Sequence, residues 1–359
     1  MTKNAYIRFV RYAVQFLFLL LTLYIGYQFY GFVRHFEVPG SPFVERPSSV
    51  DAFLPIGGLM AFKYFALTGI VDPVHPAGLI MFVAILGVSL VLKKGFCGWL
   101  CPIGTLSQYV WMTGEKLFGR NFRIKGYTDI SLRSLKYLLL GMFVFLIVIA
   151  MPANMMALFF IADYYKAVDV RMMKFFTEMT TLTMWVLIGL GVLSLLYKNF
   201  WCRYLCPYGA LAGLLSRLSP VKIRRNEEKC VHCHACTTHC PTQIDVEAKT
   251  VVKSEECFGC LTCVSRCPAK GALEVRASAG KRTAVLKPWL FPVLLVVLFY
   301  VVIGIGIATG NWHSKVPYQD YQSLIPEIQK EYANRKVVLK PERAQRNTQG
   351  RKETLRTPN

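Results

Sequence analysis

The chain has no glycine-rich phosphate loop, no serine–histidine–aspartate arrangement and no paired carboxylates spaced for acid–base work. Nucleotide hydrolysis and the common hydrolase chemistries therefore find no support in it. Histidine is scarce, with six residues at 35, 75, 232, 234, 239 and 313, and no two fall mid-span where a bis-histidine haem would need them. Acidic residues are also few: 21 Asp and Glu stand against 42 Lys and Arg, a formal net charge of +21. Nucleic-acid binding is one reading of such an imbalance. Here the basic residues lie mostly beside apolar runs, as the positive-inside rule describes, so no nucleic-acid partner is expected. Isolated cysteines are absent too, because all twelve lie in tight motifs. In a small secreted chain such density suggests disulfides; these spacings are those of thiolate metal ligands, which need a reducing compartment.

What is abundant is apolar sequence. The 359 residues are 54 % hydrophobic with a mean hydropathy of +0.37, above the roughly 45–50 % of soluble domains. Five membrane spans are expected, over about 12–33, 77–92, 137–152, 180–197 and 288–310. Lys3, Arg8 and Arg11 precede the first run, which is too long for a signal peptide, and place the N-terminus in the cytoplasm. Residues 55–72 are short, glycine-broken and carry Lys63, so they read as a re-entrant or interfacial segment on the outer face. Lys93 and Lys94 read as a stop signal, and Lys116, Arg120, Arg123, Lys125, Arg133 and Lys136 mark the next loop as inside. The parity puts the polar tail, 311–359, outside, with its end from Pro341 disordered.

The densest motif is Cys230, Cys233, Cys236 and Cys240-Pro241, repeated as Cys257, Cys260, Cys263 and Cys267-Pro268. In this bacterial two-cluster pattern the fourth cysteine of each run serves the other [4Fe–4S] cluster. One cluster is expected on Cys230, Cys233, Cys236 and Cys267, the other on Cys257, Cys260, Cys263 and Cys240. Zinc fits the 2-2-3 spacing closed by proline poorly. The formal haem motif Cys230-Val231-His232-Cys233-His234 would strand Cys236 and Cys267. His232, His234 and His239 read as loop residues near the clusters. The fold class is thus a mainly α membrane protein, a membrane domain over 1–222, with a cytosolic α+β ferredoxin module over 223–280 ahead of the last span.

The other four cysteines form an internal repeat: Phe96-Cys97-Gly98-Trp99-Leu100-Cys101-Pro102 matches Trp201-Cys202-Arg203-Tyr204-Leu205-Cys206-Pro207. Pro102 and Pro207 suit the first position of a helix, so each pair lies on a turn at a helix N-terminus, which favours negative charge. Three readings stay open: a further iron–sulphur cluster across the repeat interface, thiol–disulfide or carrier chemistry without metal, and buried structural cysteines. Trp99, Tyr204, Trp201 and Tyr208 read as interfacial belt aromatics. Lys63, Asp72 and His75 are candidates to line a quinone site.

Paired CxxxCP motifs at the inner ends of spans, followed by a two-cluster ferredoxin, resemble the NapH/NosR-type membrane polyferredoxins over roughly residues 12–310. Segments 46–56 and 72–76 also resemble less-studied members of that group. The resemblance implies electron transfer between the quinone pool and a redox partner, by an electron-transfer subunit rather than a stand-alone enzyme, in a bacterial inner membrane. No flavin or haem is expected, since the chain has no room for the flavin domain of NosR-like proteins. The competing classes are an electron-donating maturation factor for another metalloprotein and a redox-sensing regulator.

Overall fold

The computed structural model describes residues 5–279 and 282–334. It begins with α1 (Ala5–Glu37), whose 33 residues extend about 50 Å, more than a bilayer core requires. A 3-10 turn (Ser48–Phe53) leads to α2 (Pro55–Thr68), α3 (Pro76–Val91), the short α4 (Gly95–Trp99) and α5 (Pro102–Phe118). Then follow α6 (Tyr127–Val144), which continues as a π-helix over Phe145–Ala150, and α7 (Ala153–Ile161), α8 (Asp163–Lys166), α9 (Val168–Thr177) and α10 (Thr181–Leu196). A second π-helix (Trp201–Leu205) and α11 (Pro207–Ser216) precede the module. The module comprises β1 (Val221–Arg225), α12 (Ala235–Thr238), α13 (Thr262–Arg266), β2 (Leu273–Ala279) and β3 (Arg282–Leu286). Its antiparallel sheet has the order β1-β2-β3 among the described residues, pairing Ile223 with Val275 and Ala277 with Ala284. The last long helix is α14 (Leu290–Ala308).

Among the described residues, α1, the α6/π-helix and α14 are long and apolar enough to cross a membrane, and α9 with α10, bent by 77°, could together make a fourth such span. This differs from the five expected spans. The run at 77–92 is α3, only 16 residues long and about 24 Å, and it is largely buried rather than lipid-facing. Pro76, Leu79, Phe82, Ile85 and Val88 are all buried there, and α2, α11 and α14 pack around it. Of residues 55–72, α2 takes Pro55–Thr68 without a break at Gly57 or Gly58 and ends at the left-handed Gly69, φ 72°. The apolar faces of α1, α6, α10 and α14 remain exposed, including Leu17, Leu23, Leu138, Leu182, Trp185 and Val297. A bilayer is the solvent that such faces fit.

One hydrophobic cluster joins helices and module. Val88, Leu92, Trp99, Leu100, Phe291 and Leu295 share it with Val221, Ile223, Leu261, Val264 and Val275. The ferredoxin module is therefore docked on the N-terminal ends of α1 and α14, not tethered beside them. At the opposite end of α1 the tail is not simply polar. A helix over 318–334 buries Tyr321, Ile325 and Ile328 against Phe29, Phe32 and Val33. The tail segment read as disordered lies outside the described residues.

Candidate metal centres

The two CxxxCP turns share a backbone plan. Cys101 N–H donates to Phe96 O, and Cys206 N–H to Trp201 O, both at 3.0 Å. Cys101 and Cys206 are the extended N-caps of α5 and α11, with Pro102 and Pro207 in the first turn. Proline at that position costs no hydrogen bond and excludes helical geometry at the preceding cysteine. Gly209 N–H donates to Cys206 Sγ at 3.2 Å.

The repeat brings the four thiols together. Cys97, Cys101, Cys202 and Cys206 act on one another electrostatically and share Lys94 as a neighbour. Burial pushes the Cys97 thiol up to about 12 and Cys101 to about 11, against the opposing pull of Lys94. Such thiols do not ionise alone; a bound metal would supply the missing countercharge.

The module's cysteines gather as the spacing requires. Cys267 faces Cys233 and Cys230, and the four cysteines Cys230, Cys233, Cys236 and Cys267 line one cavity together with Glu247. Cys240 faces Cys260, and Cys263 faces Cys260, Cys240 and Cys257. Burial pushes Cys257 up to about 11, opposed by Lys93. Ile244 N–H donates to Cys240 Sγ at 3.4 Å. Among the described residues, no three cysteine sulphurs lie within 4.8 Å of one another. Tetrahedral zinc with Zn–S near 2.3 Å holds its sulphurs roughly 3.8 Å apart. The quartets are too open for one zinc ion, and their all-thiolate donor sets fit an iron–sulphur cubane.

Both CxxxCP turns contact the loops that carry Cys240, Cys257, Cys260 and Cys263. Trp99 Nε1 donates to Gly259 O at 3.1 Å, and a Cβ on Gly98 would meet Phe258 O at 2.9 Å. From the second turn, Arg203 donates to Thr242 O and is held by Asp129 at 2.9 Å; Asn199 Nδ2 donates to Pro241 O at 2.9 Å. The other quartet lies further out: Cys233 is exposed and Val231 is 64 % exposed. There the His232 and His234 rings lie 3.1 and 2.8 Å from Glu247. His239 instead bonds Ala235 O at 2.9 Å.

Several residues are placed differently from their sequence reading. Trp99 and Tyr204 are buried, so they are packing and hydrogen-bonding groups, not belt aromatics. Lys93 and Lys94, read as a membrane stop, are each only 1 % exposed. Lys136 is buried in an ion pair with Glu256. The signal for Lys94 lay in the repeat: it stands three residues before Cys97, as the buried Asn199 stands before Cys202.

The three quinone-side candidates are each engaged by protein partners. Lys63 Nζ donates to Ile147 O at 3.1 Å and Met151 O at 2.5 Å, satisfying carbonyls freed at the end of the π-helix. Asp72 accepts from Val74 N–H and from the Tyr165 hydroxyl at 2.6 Å. His75 lies 3.0 Å from Asp51 and 2.9 Å from Tyr165 O. Tyr165 thus joins Asp72 to His75, while Lys63 takes other partners. Asp51, His75 and Asp169 converge closely, but Arg46 already binds both aspartates, at 2.8 Å to Asp169. Burial raises the Asp51 carboxyl, yet Arg46 and His75 outweigh it and hold it below its ordinary range. That group is an ion-pair lock between the 3-10 turn, the α2–α3 loop and α9.

Comparison with known proteins agrees with this geometry. A profile described as a 4Fe-4S binding domain matches residues 74–125 and 179–226, and one described as a 4Fe-4S dicluster domain matches 222–268. The Escherichia coli (strain K12) protein YccM, whose name assigns it to electron transport, is 43 % identical over 321 residues, 88 % of this chain and 90 % of its own length. The chain belongs to the NapH/NosR-type membrane polyferredoxins. Within that family, the ferredoxin-type protein NapH of Haemophilus influenzae is 29 % identical over 45 % of this polyferredoxin and 51 % of its own length. The protein NirI of Paracoccus denitrificans is 31 % identical over 40 % of the polyferredoxin and 21 % of its own length. No solved structure matches. The polyferredoxin is an electron transport protein with 4Fe–4S domains.

Proposed function

We propose that this polyferredoxin relays electrons between the quinone pool and a redox protein partner through three [4Fe–4S] centres in a row. Cys97, Cys101, Cys202 and Cys206 would hold the membrane-side centre. Cys240, Cys257, Cys260 and Cys263 would hold the middle one, and Cys230, Cys233, Cys236 and Cys267 the outer one. Each centre, when bound, takes up and releases one electron. The observation that carries the reading is the contact from Trp99, inside the first CxxxCP turn, to Gly259, between two ligands of the middle quartet. Arg203 and Asn199 hold the second turn against Thr242 and Pro241, just after Cys240, in the same way. These residues fix the spacing between the quartets and keep water out of the path.

An apolar groove between α1 and α14 supports a lipophilic membrane-side carrier. Ile7, Val10, Val14, Trp289, Val293 and Val296 line it, and Gly95 at the start of α4 packs on Leu295 beside it. The exposed Cys233 rim supports a soluble or peripheral partner at the other end. On this reading the N-terminus and the module face the cytoplasm of a bacterial inner membrane, and the helix over 318–334 faces the opposite side.

The test is reduction of the purified protein in proteoliposomes by a short-chain menaquinol. The parent's ferredoxin spectrum should bleach, and a Cys97→Ser/Cys202→Ser variant should bleach far more slowly. Bleaching at equal rates in both would remove the CxxxCP centre from the path. No response in the parent would remove the quinone.

A further inference from the structure

The geometry points to Lys94 as a fixed buried cation that raises the reduction potential of the CxxxCP centre, with its neighbour Lys93 serving the middle centre instead. The inference rests on the proposed ligation by Cys97, Cys101, Cys202 and Cys206.

Two adjacent lysines at a membrane edge normally reach into water. Here both are 1 % exposed, and the left-handed backbone of Lys93, φ 61°, sends them apart. Lys93 lies against Cys257 and its Nζ reaches Ser254 O at 3.4 Å. Lys94 turns toward Cys97, Cys202 and Cys206, with Nζ 3.4 Å from the Cβ position of Gly209 and 5.2 Å from the centre of the Phe258 ring.

Nearby charges cancel Lys94 only in part, because it shares the Glu256 carboxylate with Lys136, two buried cations to one anion. Glu256 faces it and is at the same time ion-paired with Lys136. Arg203 is matched by Asp129. Lys94 Nζ is left buried without a hydrogen-bond partner. A buried ammonium with half a carboxylate is costly unless a further anion answers it, and the further anions at this spot are the four thiolates. A cubane on four thiolates carries net negative charge, and one-electron reduction adds one more. A cation fixed nearby favours the reduced form, since local charge is one of the levers that sets cluster potential. A Lys94 that raises the membrane-side centre would make it the better electron acceptor from a quinol.

The experiment is an EPR-monitored redox titration of the iron-loaded, detergent-solubilised full chain, in the parent and in Lys94→Gln, Lys94→Arg and Lys93→Gln. Lys94→Gln should shift the CxxxCP midpoint negative and leave the other two in place. Lys94→Arg should keep the parental value, and Lys93→Gln should lower the middle centre instead. An unchanged CxxxCP midpoint in loaded Lys94→Gln overturns the inference, as does an equal shift of all centres. If Lys94→Gln fails to load this centre, loading restored in Lys94→Arg supports the need for the charge, and failure in both overturns it. A parent with no third signal refutes the ligation itself, a separate result from an unshifted midpoint.

Discussion

Lys136 and Lys94 are both buried beside Glu256, but only Lys136 has a direct carboxylate partner. Removing one member of a buried ion pair strands the other, so Lys136→Met should lower stability by about 3–5 kcal/mol. Thermal unfolding in detergent would read this as a clearly lower midpoint. Trp99→Phe keeps most of the packing against Phe291 and loses the donor to Gly259. It should cost about 0.5–1.5 kcal/mol and leave the iron content unchanged, as a melt with a parallel iron assay would show. At this scale the sequence was uneven. The spacing of the eight module cysteines groups them into the two sets that the fold brings together. The partners of Lys93 and Lys94 were not legible, because a basic pair after an apolar run reads as a membrane stop unless the docking of residues 254–260 against it is known.

Among the elements, helices that terminate apolar runs were legible and those created by packing were not. Proline at the start of α5 and α11 is a local instruction. By contrast, α3 is too short to be told from a lipid-facing span by hydropathy, since a core helix and a membrane helix are equally apolar. The break after α6 depends on Lys63, whose ammonium binds the freed carbonyls of Ile147 and Met151. Lys63→Met should leave those carbonyls unsatisfied and cost about 1–3 kcal/mol of stability. Because Lys63 has this structural task, menaquinol should reduce the variant's clusters at the parental rate in proteoliposomes. A large rate loss in a normally folded variant would restore Lys63 to a carrier site.

Over the whole molecule, the charge of +21 hides a division of labour. Among the described residues most cations are at least partly exposed, whereas a few, Lys93, Lys94 and Lys136 with them, are drawn inside where thiolates or carboxylates converge. Sequence gave the duplication of CxxxCP but not whether the pairs meet, because that depends on α4, the second π-helix and the module closing on one another across more than a hundred residues. The central claim is that this convergence makes a third centre. Iron and acid-labile sulphide per chain, measured with EPR on anaerobically purified parent and Cys97→Ser/Cys202→Ser protein, test it most directly. The account predicts about twelve irons in the parent and about eight in the variant, with one EPR component lost. About eight irons and the same spectrum in both would contradict it.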